Sequence, residues 1–255
     1  MKSRSLMPKN LADRVCGLEC AKDQQPTVEF VGPVKIVLVD PSKKENRRKS
    51  CGAAFIALAN LMMGASNITI LYYTLGFKLK LFVNLHIVLC TIGYQLCFPS
   101  AILLLNSLNG ASSGLKLKQR KFQHLFLQLF GLGCGAAGSA LVFLDHFKIS
   151  KFTFHSITGV ASGGIAVLAV LTGLIIYCTG KGTVEDVCKF CHMSYGVLSF
   201  ILSSVCFVSG LLRPVYSKWV PLPEMLAFPI IFCVFVTIVV VFGPVYKVLK
   251  KMDYF

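Results

Sequence analysis

Four histidines, His86, His124, His155 and His192, each stand near the start of a long apolar run. An imidazole inside a membrane span is costly, so its presence there marks function by default. A single one is often an interhelical hydrogen-bond partner. Four, at spacings of 38, 31 and 37 residues, are hard to assign to packing. If the runs are consecutive transmembrane helices entering from alternating sides, the histidines sort into two layers. His86 and His155 lie near one face, His124 and His192 near the other, each within about one helical turn, roughly 5 Å, of its helix start. Two histidines facing each other across a bundle can hold one haem iron from both sides. The pattern predicts two bis-histidine haem sites, roughly 20 Å apart in a hydrocarbon core about 30 Å thick.

The elements that must position them follow from composition. The chain has 255 residues, 55% of them hydrophobic, which is too apolar for an ordinary soluble domain and reads as a polytopic membrane protein. Six stretches are long enough to cross a bilayer, at about 51–75, 83–105, 123–144, 153–178, 191–212 and 224–246. Their near-continuous hydrophobicity excludes barrel strands, which alternate over about ten residues each. The expected fold is an all-α membrane protein of six transmembrane helices, with helices two to five forming a central four-helix bundle. Residues 1–50 form a basic tail, 51–248 the membrane domain and 249–255 a short second tail. No apolar core precedes a small-residue cleavage site, so no signal peptide is expected and the first span serves as the anchor.

The net charge of +15 is unevenly divided about the spans. Twenty of the 26 Lys and Arg residues fall on one side and six on the other, a topology signal that places both termini in the cytosol and argues against nucleic-acid binding. The 11 cysteines lie in or beside spans and cytosolic segments, so no disulfide framework is expected. The apolar patch Val34 to Val39 fits either a strand or a segment resting on the membrane surface. The sequon Asn67-Ile68-Thr69 lies within the first span and should be out of reach of glycosylation. Glycines crowd spans three and four (Gly131, Gly133, Gly135, Gly138; Gly159, Gly163, Gly164, Gly173), as close helix packing requires and as a flat macrocycle beside a helix would also require. Cys188-Lys189-Phe190-Cys191-His192 spells C-x-x-C-H, the signature of covalent haem attachment. Attachment belongs on the non-cytosolic side, whereas the charge count puts this loop in the cytosol, so both cysteines are expected to be free thiols.

Asn84-Leu85-His86, Lys121-Phe122-Gln123-His124, Phe152-Thr153-Phe154-His155-Ser156 followed by Gly159, and Cys191-His192 followed by Gly196 together resemble the cytochrome b561 family, in the form of its compact, domain-containing branch. The likeness covers about residues 83–212, with Ile87 where many members have proline and a shorter loop before His155. It implies a transmembrane, ascorbate-dependent oxidoreductase with two haems b, held by His86 with His155 and by His124 with His192. A single electron would pass from cytosolic ascorbate to a non-cytosolic acceptor, monodehydroascorbate or a ferric chelate. The membrane would be an endomembrane (vesicle, lysosome or ER) or the plasma membrane, and similar cytochromes form homodimers. Lys116, Lys118, Arg120 and Lys121 border the His124 side. They set orientation, and the likeness makes them candidates for the ascorbate site. His146, with Lys148 and Lys151, is a candidate on the other face. Asn84 and Ser156, next to ligands, either orient an imidazole or bind substrate, or cap a helix start. The rival class is a haem-free transporter or interaction protein with histidines along a proton or metal path. It would need carboxylates inside the spans, and only Asp145 and Glu224 stand near span ends.

Overall fold

A computed structural model describes residues 28–30, 36–38, 42–76, 81–145, 153–178, 182–218, 220 and 222–252. The chain divides into two compact units, Met1–Cys51 and Gly52–Phe255. In the first, Val28–Phe30 (β1) pairs antiparallel with Ile36–Leu38 (β2), Glu29 opposite Val37. The apolar patch at 34–39 thus supplies a strand. Ser42 Oγ accepts the Glu45 N–H as an N-cap, and Lys49 pairs with Glu45 one turn along at 2.9 Å.

Six helices are long and apolar enough to cross a membrane: α1 Lys43–Gly76, α2 Leu81–Leu104, α3 Leu117–Asp145, α4 Phe154–Cys178, α5 Thr183–Leu211 and α6 Pro223–Met252. The all-α, six-span expectation therefore holds. The ends differ at α1, α3 and α5, which begin eight, six and eight residues before the apolar runs. Polar turns such as Leu117–Gln123 have good helix formers and simply continue the helix past the hydrocarbon. His124 and His192 consequently lie about two turns inside their helices rather than one.

Within the second unit, α2 packs on α3, α4 on α5, and α6 runs along α5. The α2–α3 contact is a glycine contact, since a Cβ on Gly93 would lie 2.5 Å from the Gly131 carbonyl oxygen and 3.1 Å from the Gly135 nitrogen. The α4–α5 contact is tied by a reciprocal pair, Ser162 Oγ to Ser199 O and Ser199 Oγ to Ser162 O, both 2.9 Å and buried. Ile56, Ala59 and Met63 of α1 join Phe98, Leu103, Phe200, Val236 and Val240 in the main apolar core. Outward-facing Leu61, Ile68 and Leu75 are exposed, as side chains that meet lipid should be.

One irregularity interrupts α2: Thr91–Cys97 winds as a π-helix, closed by the Phe98 N–H on the Gly93 carbonyl. Pro99 follows and has no N–H to offer the Gln95 carbonyl four residues back. Asn67 Nδ2 of α1 approaches that carbonyl at 3.5 Å, and Asn67 is only 6% exposed. The asparagine of the sequon is thus buried in a helix contact.

Gly93→Ala should destabilise the bundle by about 1–3 kcal/mol, because the added methyl meets backbone that cannot turn aside. Gly133→Ala, whose Cβ meets nothing within 4 Å, should melt like the parent. Thermal unfolding in detergent checks both, and equal melting would remove the α2–α3 contact from the account.

Candidate functional site

The four histidines come from four different helices, α2 to α5, and meet in two pairs. His86 faces His155 with ring centroids 6.2 Å apart and planes at 85°, and His124 faces His192 at 6.1 Å and 77°. These are the two pairs that alternation brings to mind from the sequence, His86 beside His155 and His124 beside His192.

Every one of these rings is anchored the same way. Nδ1–H of His86 donates to the Gly138 carbonyl at 3.0 Å, and that of His124 to Ala101 at 2.9 Å. His155 donates to Cys206 at 2.9 Å and His192 to Ala169 at 2.7 Å. A carbonyl can only accept, so each Nδ1 carries the proton and each Nε2 keeps its lone pair. The second nitrogen is thereby ready to bind a metal, and the ring cannot turn. Two imidazoles bonded through Nε2 to opposite sides of one metal ion, at about 2.0 Å a bond, hold their centroids about 6 Å apart. Both pairs fit that span. Among the described residues no group of three or more His, Cys, Asp or Glu could hold a metal ion by itself. Two axial ligands suffice only where a macrocycle supplies the rest, as haem does.

Spacing explains why the carbonyls are in place. The accepting carbonyl follows the histidine of its own helix by fourteen residues in α3 (His124 to Gly138), α4 (His155 to Ala169) and α5 (His192 to Cys206), close to four turns. In α2 the interval is fifteen, His86 to Ala101, and α2 alone holds the π-turn, which absorbs one residue without moving the face. A second repeat makes room for the rings. A Cβ on Gly173 would lie 2.9 Å from His192 Cε1, and one on Gly210 3.0 Å from His155 Cε1. Each glycine stands eighteen residues, five turns, after the histidine of its own helix.

The other candidates separate. Ser156 is engaged in capping: its Oγ accepts the Thr153 N–H at 2.9 Å while Thr153 Oγ1 accepts the Ser156 N–H at 3.3 Å, a reciprocal box at the start of α4. Asn84 has a buried Oδ1 without a partner among the described residues. Lys116, Lys118 and Lys121 are exposed, whereas Arg120 is turned back on the chain, Nε to the Leu115 carbonyl at 3.0 Å and Nη2 to Ser113 at 3.3 Å. His146, Lys148 and Lys151 lie outside the described residues. Cys188 and Cys191 are free and half-buried. Sequence reasoning passed over Arg213, whose Nη1 donates to Thr153 Oγ1 at 3.3 Å over the start of α4. It also missed the groups around the His86–His155 pair, where Cys90 Sγ lies 3.6 Å from His86 Nδ1 and Cys206 Sγ and Ser209 Oγ each 3.4 Å from His155 Nδ1.

A comparison with curated proteins returns no match. The family model of eukaryotic cytochrome b561 matches residues 85–218, over half of the chain and inclusive of all four histidines. The family generally binds haem b and moves electrons across membranes. Six spans, two crossed imidazole pairs with free Nε2 atoms and this match agree: the chain belongs to the eukaryotic cytochrome b561 family and is a multi-pass membrane protein of the transmembrane electron-transfer class.

Proposed function

We propose that the protein accepts single electrons from ascorbate on the cytosolic side and delivers them to monodehydroascorbate or a ferric chelate on the other. His86 with His155 and His124 with His192 each hold one haem b. The observation that carries this reading is the set of four Nδ1–H···O=C bonds, which hold four Nε2 lone pairs ready in two opposed pairs. Haem held by these histidine pairs would supply reversible one-electron iron chemistry.

The chain's own residues do the rest. From His124 to Gly138, α3 advances about 21 Å at 1.5 Å per residue, so the two pairs lie near opposite faces of the bilayer core. Apolar helix faces keep the sites dry. Lys116, Lys118 and Lys121 are exposed at the start of α3, and their charge draws an anionic donor toward the His124 side. Arg120, occupied with two carbonyls, shapes the turn that carries them. Both termini are cytosolic in this reading, by the excess of Lys and Arg on that side.

Three outcomes are expected. Holoprotein should contain two haems per chain by pyridine haemochromogen, and His86→Ala or His155→Ala should each leave one, with the double variant also keeping one. Separate losses from the two single variants would break the pairing. Acid-acetone should extract all the haem; pigment retained on the protein would make Cys188 and Cys191 attachment points. Replacing Lys116, Lys118 and Lys121 together by Gln should slow reduction by ascorbate about tenfold at low salt, with high salt reproducing the loss in the parent and dithionite reduction unchanged. An unaltered ascorbate rate would leave these lysines with topology alone.

A further inference from the structure

Between the two histidine pairs Tyr94 reaches from α2 toward α3 and α4, beside the buried Phe200 of α5. Tyr94 lies in the π-turn of α2, eight residues after His86 and seven before Ala101, the carbonyl that anchors His124. Its ring fills a slot cut by glycines on two other helices. A Cβ on Gly135 of α3 would come within 2.6 Å of Tyr94 Cε2, and one on Gly163 of α4 within 3.3 Å of its hydroxyl. Gly163 is itself midway on α4, eight residues after His155 and six before Ala169, the carbonyl that anchors His192. On the side toward His124 the ring meets Phe98 edge-on, centroids 5.1 Å apart at 71°. Phe98 is buried and stands three residues before Ala101. Small residues on α3 and α4, and a half-buried tyrosine reaching in from α2, set an aromatic ring at mid-depth.

We propose that Tyr94 is a positioning residue for electron transfer: its ring, backed by Phe98, keeps water out of the space between the two histidine pairs and packs the route between them. This rests on the two-haem reading given above. Tyr94 is neither oxidised nor reduced; one electron leaves the reduced site, which becomes ferric, and arrives at the oxidised site, which becomes ferrous. Two physical consequences follow from the slot. Emptying it removes matter from a close-packed interior, and matter carries electronic coupling better than a void. A vacated slot beside the remaining polar backbone also admits water, which raises the local dielectric and favours the ferric form, of higher positive charge.

The test uses holoprotein in detergent, with three readouts: haem per chain, midpoint potentials by spectroelectrochemical titration, and the rate of intersite equilibration after pulse reduction. Tyr94→Phe should match the parent in all three, since the ring is what plugs the slot. Tyr94→Ala should keep two haems, lower both potentials and slow intersite transfer by at least about tenfold. If the alanine variant does not assemble, Tyr94→Val, which leaves most of the slot empty, should show the same two changes. Two haems with parental potentials and parental transfer in either variant would overturn the proposal and make Tyr94 ordinary packing. A parent that binds no haem would instead overturn the reading beneath it.

Discussion

The arrangement depends on four backbone carbonyls that each accept a hydrogen bond from a histidine. A carbonyl oxygen has two lone pairs, so even inside a helix one is open to a side chain, and at Gly138, Ala101, Cys206 and Ala169 a histidine from the neighbouring helix takes it. All four positions bear small side chains, so nothing shields the oxygen from an approaching ring. Interhelical hydrogen bonds in membranes contribute only about 0.6 kcal/mol on average. Four of them decide little about whether the bundle folds. They decide which nitrogen of each ring is protonated and where the other points, and that is the property a metal site needs.

Satisfying all four at once constrains the register of the helices. Antiparallel neighbours each present a histidine at one end and an accepting carbonyl near the other, so the interval along each helix must match the separation of the layers. α3, α4 and α5 meet it with fourteen residues of regular helix. α2 has one residue more and winds it into the π-turn. Local irregularity in α2 is therefore what keeps its two ends in phase. The same turn brings Gly93 against the α3 backbone and places Gln95, buried with an unpartnered Nε2 among the described residues, beneath α1.

Much of this was legible beforehand. Chemistry-bearing residues are rare in an apolar chain, so four histidines stood out, and alternating entry into the bilayer paired them without any contact information. Span number followed from hydropathy for the same reason. Helix ends did not, because hydropathy reports where lipid begins, whereas a helix such as α3 stops only where its capping chemistry says so; Lys116 N–H on Gln119 Oε1 marks that start. Ser156 carried two readings from sequence, and only geometry shows its hydroxyl spent on Thr153.

The accepting carbonyls were out of reach of residue types altogether, since a backbone oxygen has no letter in the sequence. A shadow of them was present nonetheless. Histidine and glycine recur at an interval of eighteen in both α4 and α5, His155 to Gly173 and His192 to Gly210, and five full turns put both residues on one face. Each glycine then lies opposite the other helix's histidine, with no Cβ in the way of a ring 3 Å distant. That repeat follows from two antiparallel helices using one solution twice, once at each end. It makes Gly173 of α4 and Gly210 of α5 part of the site's geometry, whereas Gly131 and Gly135 of α3 serve the contact with α2 and, with Gly163 of α4, the slot for Tyr94.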